Sequence, residues 1–588
     1  MLIMAFELAV GGRTVSIRGN WEQRRVEAVS RMGEMDRRTF VKMGGASAAA
    51  LILGYGPFTE SVWSQPVFPD YPFTLGISSG DPLPDGVVLW TRLAPDPLNG
   101  GGMPSKKVPV QWQVATDEGF ANVVREGATF ARPELAHSVH VEVSGLKPAS
   151  EYFYRFRAGS ELSQVGKTKT APAAGASVAE MNFAFVSCQQ YEHGYFTAYR
   201  RMAEQEQLDL VVHLGDYIYE YGPNQYVAPG GNVRAHSGPE IITLTDYRNR
   251  HAQYRTDADL QAAHAAFAWI VTWDDHEVEN NYADDVPEAG SQTPTTAAFL
   301  QRRAAAYQAY YEHMPLRRAS VPSGPDMLLY RRLVYGDLAG FNVLDTRQYR
   351  DDQAANDGTD PPNPESLDPA RTLTGEAQEK WLLDNLAASA TTWNVLAQQV
   401  FFAQRDFDTG DGQRFSMDAW DGYVGSRDRI SNFIRDNGVQ NSVVLTGDVH
   451  NNWAADLKAN YDDPTSQTLG SEFIGTSITS GGNGADTSAS QDAVVAENPH
   501  IKFFNGQRGY VRCKLTPEMW QADYRVLPYV KQQGAPVYTR ASFAIEAGNP
   551  GLQPVDTNAV QGTSISATAI ESDTERVGAQ ERAAKRGR

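Results

Sequence analysis

The stretch that most constrains this chain is LDLVVHLGDYIYEY, at residues 208–221. It opens with an apolar run over residues 208–214, which has the character of a buried strand in an α/β sheet. Gly215 ends the run, and Asp216 follows at once. Because ligands bind beyond the carboxyl ends of strands in such sheets, Asp216 stands where chemistry is expected.

Three further apolar runs also end on residues that can bind metals. They are AWIVTW before DDHE at residues 268–277, VVLT before GDVH at residues 443–450, and FAFVS before Cys188 at residues 183–188. Strand ends that carry acidic, histidine or cysteine side chains, far apart in sequence, are the pattern of a metal site assembled at one edge of a sheet. The sequence therefore predicts such a site.

The chain resembles the alkaline phosphatase D (PhoD-like) family of metallophosphoesterases through four motifs, which are FVSCQQ, GDYIYEY, WDDHEVENN and TGDVH. The resemblance covers about residues 73–530, and the presence of all four motifs in order is highly specific. It implies an α/β fold with the four-layer α/β/β/α core of metallophosphoesterases, and the activity of an alkaline phosphatase.

The resemblance also implies an iron (Fe3+) site, held here by Cys188, Asp216, Tyr219 and His450. Asp216 is the best candidate for a carboxylate that bridges two metals, because it follows a strand directly and Gly215 lets the backbone approach closely. A tyrosine in YIYEY is usually a packing residue, but beside a ferric ion its phenolate is a suitable hard anionic ligand.

The two cysteines of the chain, Cys188 and Cys513, allow two interpretations. Cys188 is either a thiolate metal ligand, with Cys513 a small buried residue, or the two form one disulfide in an oxidising compartment. The position of Cys188 at a strand end, beside the other candidate ligands, favours the ligand interpretation.

A calcium (Ca2+) site is predicted from Asp448 and His450, which form D-x-H where many metallophosphoesterases have G-H-x-H. An oxygen ligand in place of the first histidine favours calcium, magnesium or manganese over zinc, and the chain has only 11 histidines from which to build a dizinc site. WDDHE likewise replaces G-N-H-E, so either Asp275 or the nearby Asn280 and Asn281 complete the second metal shell.

Two residues are predicted to contact substrate. His276, inside DDHE, is expected to be the general acid or a phosphate contact. Arg347 could clamp phosphate through bidentate hydrogen bonds, or it could be a structural ion-pair residue. Gln399 could reach a metal through its carbonyl oxygen, or it could be a packing residue.

The predicted reaction is in-line attack on a phosphate monoester, and on diesters, by a metal-bound hydroxide without a phosphoenzyme. No G-x-S-x-G elbow precedes a suitable aspartate and histidine, as a covalent serine mechanism would require. One alternative is a phospholipase-D-like phosphodiesterase, since the same site chemistry serves both. Another is a calcium-binding surface protein on a degenerate hydrolase domain, which would require ligands to be missing.

The N-terminal region carries an export signature. The twin-arginine segment DRRTFVK at residues 36–42 precedes a short apolar stretch at residues 43–57 that is too short to span a membrane stably. We expect residues 1–66 to be a leader for the twin-arginine (Tat) export machinery, with Met1 or Met35 as the start. The expected location is periplasmic or extracellular, without a stable membrane anchor.

Composition agrees with an exported enzyme rather than a nucleic-acid-binding protein. The chain has 588 residues, enough for two or more domains, and its formal net charge of −19 argues against a polyanionic partner.

Residues 67–172 contain short alternating strands and predict a β-sandwich. Within it, LKPASEY at residues 146–152 resembles the tyrosine corner of fibronectin type III modules. Strands and helices then alternate over the expected catalytic domain at residues 180–545, with helices predicted over residues 194–207, 247–265, 297–314 and 375–388. Residues 557–588 are expected to be a disordered tail.

Overall fold

The computed structural model describes residues 7–10, 13–16 and 66–556. The twin-arginine segment and the expected tail lie outside these residues. The chain divides into two compact units, Met1–Ser61 and Val62–Arg588. In the first unit, strands β1 (Glu7–Val10) and β2 (Arg13–Ser16) pair antiparallel.

Strands β3 to β26 and helices α1 to α7 belong to the second unit. The strands in chain order are Ile77–Leu83, Gly86–Arg92, Val108–Ala115, Val123–Ala131, Ser138–Val143, Glu151–Ala158, Glu161–Leu162, Gly166–Lys169, Met181–Val186, Leu210–His213, Ala268–Val271, Arg331–Tyr335, Ala339–Val343, Thr359–Asp360, Trp393–Ala397, Phe415–Ser416, Ser442–Thr446, Asn452–Lys458, Thr468–Ile474, Ile501–Asn505, Arg508–Leu515, Met519–Leu527, Tyr538–Glu546 and Asn549–Asp556. The helices are Thr197–Gln205, Leu244–Arg255, Ala258–Ala266, Thr296–His313, Gly375–Ala387, Val424–Asp436 and Ala489–Glu497.

The fold is mixed α/β, as the sequence predicted. A ten-stranded sheet has the order β26-β25-β24-β23-β11-β12-β13-β3-β4-β7, and a seven-stranded sheet has the order β14-β15-β17-β19-β21-β20-β22. A five-stranded sheet has the order β10-β8-β5-β6, with β9 paired to β8. At the centres of the two larger sheets, β11-β12-β13 and β15-β17-β19-β21 are parallel.

Strand β11 illustrates why the sheets are covered on both faces. Successive side chains of a strand point to opposite faces, so a fully buried strand is apolar throughout. Phe183 and Phe185 pack in a core shared by the two larger sheets, whereas Ala184 and Val186 pack in a core shared with α1 to α4. A third core joins the seven-stranded sheet to α5, α6 and α7.

The N-terminal strands contribute to two sheets. Strand β3 pairs parallel with β13, so β3, β4 and β7 extend the ten-stranded sheet, while β5, β6, β8 and β10 form the separate sheet. Tyr152 Oη accepts a hydrogen bond of 2.9 Å from Lys147 N, which is the contact of a tyrosine corner. The division into domains at residues 67–172 and 180–545 stays a prediction.

The helix predictions were confirmed except in one region. Residues 247–265 form two helices, because the Asp257 carboxylate accepts hydrogen bonds from Asp259 N and Leu260 N and thereby begins α3. The prediction of a single helix there was wrong. Helices α6 and α7 and the C-terminal strands were not predicted. No helix among residues 66–556 is long and apolar enough to cross a membrane.

Trp520 of β24 joins the two larger sheets. Its ring lies 5.7 Å from Trp393 and 6.2 Å from Phe473 of the seven-stranded sheet, and 5.6 Å from Phe183 of its own sheet. The side chain is fully buried.

We expect Trp520→Ala to lower the free energy of unfolding by about 3–5 kcal/mol, because it opens a cavity between the sheets. Urea unfolding followed by near-UV circular dichroism measures this. Met519→Ala is the matched control, since Met519 is the preceding residue on the exposed face. Equal stability of the two variants would contradict the assigned packing.

Candidate metal centre

The two larger sheets meet at the carboxyl ends of their parallel strands. Cys188 N, after β11, donates a 3.0 Å hydrogen bond to Gly215 O, after β12. Ser187 forms an isolated parallel bridge with Ser477, just beyond β21 of the other sheet. The loops that carry the predicted ligands are therefore fastened together across the sheets.

Gly215 allows the close approach that the sequence predicted. Its φ is 116°, and a Cβ there would lie 2.5 Å from Asp274 N. Any other residue would push apart the loops that follow β12 and β13.

Most of the predicted metal ligands have left-handed backbone conformations. The φ angles are 57° at Cys188, 56° at Asp216, 48° at Asn281, 63° at Asp448 and 58° at His450. Each such non-glycine residue costs of order 1–3 kcal/mol, and strain of this kind concentrates at functional sites.

Four of the predicted ligands converge on one point. The ligand atoms of Cys188, Asp216 and His450 lie within 4.8 Å of one another. Tyr219 Oη donates to Asp216 Oδ2 at 2.7 Å and lies 3.2 Å from His450 Nε2. This group offers sulfur, nitrogen and oxygen donors, a mixture that suits a transition metal.

Two further groups extend from the first. One consists of Asp216, Asp275 and His276, and the other consists of Asp274, Asp275 and Asp448. In each group the ligand atoms lie within 4.8 Å of one another. Asp216 and Asp275 each belong to two groups, so the three form a continuous chain of ligand atoms. The last group offers oxygen alone, which suits a hard cation such as calcium.

Three of the carboxylates fit bound cations because each has a buried oxygen that accepts no hydrogen bond from the residues that the structure describes. Asp216 Oδ1, Asp274 Oδ2 and Asp275 Oδ1 are buried without a hydrogen-bond partner in the described chain. Burial raises the pKa of Asp216 well above its ordinary value and that of Asp274 to about 7, and Asp275 adds to both shifts. Positive charge at this edge would reverse the penalty on their ionised forms.

His276 is held as a charged group at the same edge. Its Nδ1 lies 2.7 Å from Glu220 Oε2, and its Nε2 lies 3.9 Å from Asp275 Oδ2. Burial alone would lower the pKa of His276, but Glu220, Asp275 and Asp216 outweigh it and raise the pKa well above its ordinary value. These carboxylates favour the protonated form of His276, and Glu220 is a partner that the sequence analysis missed.

The guanidinium of Arg347 is occupied by protein carboxylates. It is fully buried, donates to Asp274 Oδ1 at 2.5 Å, and makes a bidentate pair with Asp418 at 2.7 and 3.0 Å. Although burial opposes ionisation, Arg347 and Arg350 hold the pKa of Asp418 well below its usual value. Phosphate binding by Arg347 stays a prediction, and the ion-pair role is the one visible in this arrangement.

Asn281 faces the oxygen-rich group, whereas Asn280 turns away. Asn281 N donates to Asp275 Oδ2 at 2.8 Å, and Asn281 Nδ2 donates to Asp357 Oδ2 at 2.6 Å. Because a carboxylate only accepts, Asp357 fixes the amide orientation and leaves Asn281 Oδ1 free. Asn280 Nδ2 instead donates to Glu288 at 2.9 Å.

Asp357 lies on a strained turn. Ala355, Asn356 and Asp357 have consecutive left-handed φ angles of 54°, 59° and 59°. Met417 N donates to Gly358 O at 2.9 Å, which anchors the turn beside Asp418. Local sequence gave no signal for this carboxylate.

Gln399 and Cys513 lie away from the ligand groups. The Gln399 side chain accepts from Thr346 N and Oγ1 and donates to Thr272 Oγ1 and Leu344 O, so it ties strand ends together. Cys188 and Cys513 are both free and buried, so the disulfide alternative is wrong in this structure. Cys513 packs in the core between the sheets.

Glu277 was missed by the sequence analysis although it sits in the DDHE motif. Its carboxylate accepts hydrogen bonds from Asp216 N at 3.0 Å, Tyr217 N at 2.5 Å and Asp274 N at 2.7 Å. Burial raises the pKa of Glu277 to about 8, against the amide donors that lower it. Glu277 therefore binds two ligand-bearing loops together.

Comparison with known proteins identifies the class and the family. The family model described as PhoD-like phosphatase matches residues 183–524, and the model described as PhoD-like phosphatase, N-terminal domain, matches residues 60–172. With its α/β fold and its grouped ligands, the chain is a phosphoric ester hydrolase. It belongs to the PhoD-like phosphatase family.

Two relatives are similar over nearly their whole length. Alkaline phosphatase D of Bacillus subtilis (strain 168) is 59% identical over 559 residues, which are 94% of this chain and 95% of that protein. A solved structure titled "Structure of PhoD" is 60% identical, with a TM-score of 0.86, over 89% of this chain and 99% of that one.

We expect Glu277→Gln to lower the free energy of unfolding by about 1–3 kcal/mol, because the amide NH2 would face backbone N–H groups and leave at least one unsatisfied. Bound metal should fall as well, since Asp216 loses its support. Thermal unfolding and elemental analysis measure these effects, with the exposed Glu376→Gln as control. A variant with the stability and metal content of the parent would rule this role out.

Proposed function

We propose that this chain is an exported, metal-dependent alkaline phosphatase that hydrolyses phosphate monoesters and also diesters. The observation that carries the proposal is the continuous chain of ligand atoms around Asp216 and Asp275, in which three buried carboxylate oxygens accept no hydrogen bond from residues 66–556. The name of the Bacillus subtilis relative supports the same activity.

The proposal includes the finer architecture. The inter-sheet core, with helices packed through separate cores on each sheet, supports a four-layer α/β/β/α arrangement. The tyrosine-corner contact and the sheet of β5, β6, β8 and β10 support a fibronectin type III-like β-sandwich at residues 67–172.

The proposed cofactors are Fe3+ and Ca2+. Cys188, Asp216, Tyr219 and His450 would hold iron, and Asp275, Asn281 and Asp448, with Asp274, would hold calcium. When bound, these cations would supply an activated water and neutralise the equatorial oxygens of the phosphoryl group. The first ligand group offers sulfur, nitrogen and oxygen, whereas the last offers oxygen alone. This difference supports the assignment of iron to the first group and calcium to the last.

The side chains around His276 prepare it to protonate the leaving oxygen. Glu220 binds Nδ1 and so holds the ring with Nε2 towards Asp275. The rings of Tyr219 and Tyr221 pack 4.2 and 5.5 Å from the imidazole, which fixes its orientation and excludes water. A positioned, charged imidazole is an effective general acid.

Arg347 would also act on the carboxylates of the site. It contacts Asp274 at 2.5 Å and Asp418 at 2.7 Å, lies 3.3 Å from Asp275 Oδ1, and has no exposed surface. We infer that it keeps Asp274 and Asp275 in place when cations bind.

Export by the twin-arginine route rests on DRRTFVK at residues 36–42. Replacing Arg37 and Arg38 together by lysine should leave the protein inside the cell, which fractionation of the host measures. Unchanged secretion of this variant would dismiss the proposed route.

We expect the protein to hydrolyse a chromogenic phosphate monoester faster than a diester, and a phospholipid slowest, with activity that depends on calcium. The three substrates should be assayed side by side on the full chain. Asp216→Asn should lose at least about 100-fold in kcat, because the shared ligand loses its charge. The exposed Asp436→Asn is the control. A phospholipid preference would favour the phospholipase-D-like alternative.

Elemental analysis of the protein from its native host should find iron and calcium. We expect Cys188→Ser and Tyr219→Phe to lose iron while calcium is retained. Asp357→Ala should lose calcium alone, because Asn281 is no longer oriented; Asp360→Ala, nearby on β16, is its control. Zinc as the sole metal, or the same metal loss in all variants, would overturn the division of ligands.

A further inference from the structure

Arg405 is a buried cation that forms no ion pair with any carboxylate among residues 66–556. The residue is 3% exposed. Nε is buried without a hydrogen-bond partner, and neither terminal nitrogen has a hydrogen bond or ion pair with any residue between 66 and 556. Since the terminal nitrogens are not among the fully buried unpartnered atoms, they retain access to solvent. Unpaired buried charge is costly and is retained where a ligand supplies the partner.

The carboxylates near Arg405 are already engaged by other groups. Asp421 accepts from Arg427 Nη1 and from the backbone N of Arg405. Glu472 accepts from Phe402 N, Ala403 N and Thr446 Oγ1. Neither forms an ion pair with the Arg405 guanidinium.

Aromatic rings hold the guanidinium in a fixed position. It lies 4.3 Å from the Phe401 ring centroid, 4.6 Å from that of Phe407 and 5.4 Å from that of Trp453. Stacking of this kind fixes the plane of the fork and leaves its N–H edge free to donate.

The loop that carries Arg405 lies beside the metal centre. It follows β17, and the loop with Asp448 follows β19, the parallel neighbour of β17. Gly447 N donates to Gln399 O at 2.9 Å, which joins the two loops directly. Burial lowers the pKa of Arg405 to about 10, and Asp448 is the carboxylate that most opposes this shift.

We propose that Arg405 is a substrate-binding residue that donates hydrogen bonds to the phosphoryl oxygens of a dianionic phosphate. The inference rests on the proposed function and adds to it the residue that neutralises the substrate. In a low-dielectric site the attraction between a free guanidinium and an anion grows strongly with the charge of the anion. Arg405 therefore favours binding of a dianionic monoester over that of a monoanionic diester.

The test compares Arg405→Met and Arg405→Lys with the parent, using the full chain loaded with metal. Arg405→Met keeps an apolar stem against the rings but removes the charge. We expect the inhibition constant of inorganic phosphate to rise at least about tenfold in this variant, and kcat/KM to fall more for the monoester than for the diester. Arg405→Lys should show a smaller change in the same direction.

Inorganic phosphate also gives a readout independent of turnover, as the shift in thermal midpoint on binding. Arg414→Gln, an exposed arginine of the same loop, is the control. If Arg405→Met does not fold, Arg405→Lys decides the question. An unchanged phosphate inhibition constant and midpoint shift in a folded variant would overturn the proposal. Failure of the proposed function is distinct, because then the parent itself hydrolyses no ester.

Discussion

Crowded negative charge at the meeting edge of two sheets governs the arrangement of this molecule. Asp216, Asp274 and Asp275 are buried, and the half-buried Asp448 lies close to them. Carboxylates brought this close in a dry environment favour their neutral forms, and burial raises the pKa of both Asp216 and Asp448. Positive charge at this edge, from the protein or from bound cations, would therefore stabilise the ionised forms.

The protein contributes that support in two ways. Glu277 binds the backbone of two ligand loops through three hydrogen bonds, and Arg347 bridges Asp274 and Asp418. The left-handed backbones at Cys188, Asp216 and His450 persist because such contacts over-determine the loops. The free energy gained by packing the two sheet cores thereby offsets the strain of the loops at their common edge.

The parts of the site that follow from local pattern could be predicted from the sequence. An apolar run followed by a ligand residue specifies both a strand and the position of its ligand, so Cys188, Asp216 and Asp448 were found together. Because neighbouring parallel strands end at the same edge of a sheet, the ligands after them are expected to lie close together. The same reasoning cannot find Asp418 or Asp357, because their partners, Arg347 and Asn281, lie 71 and 76 residues away. Helix α7 was not predicted because its sequence, ASQDAVVAE, is short and no side chain caps its N-terminus.

Two of the buried arginines near this edge show why residue type alone does not assign a role. Arg347 and Arg405 both follow strands of the seven-stranded sheet, β15 and β17, and neither is appreciably exposed. Arg347 is surrounded by carboxylates that need a permanent counter-charge, so its hydrogen bonds are taken. Arg405 is surrounded by aromatic rings that hold it without neutralising it. The first arrangement stabilises the protein's own charges, whereas the second keeps a positive charge available for an anion that arrives from outside.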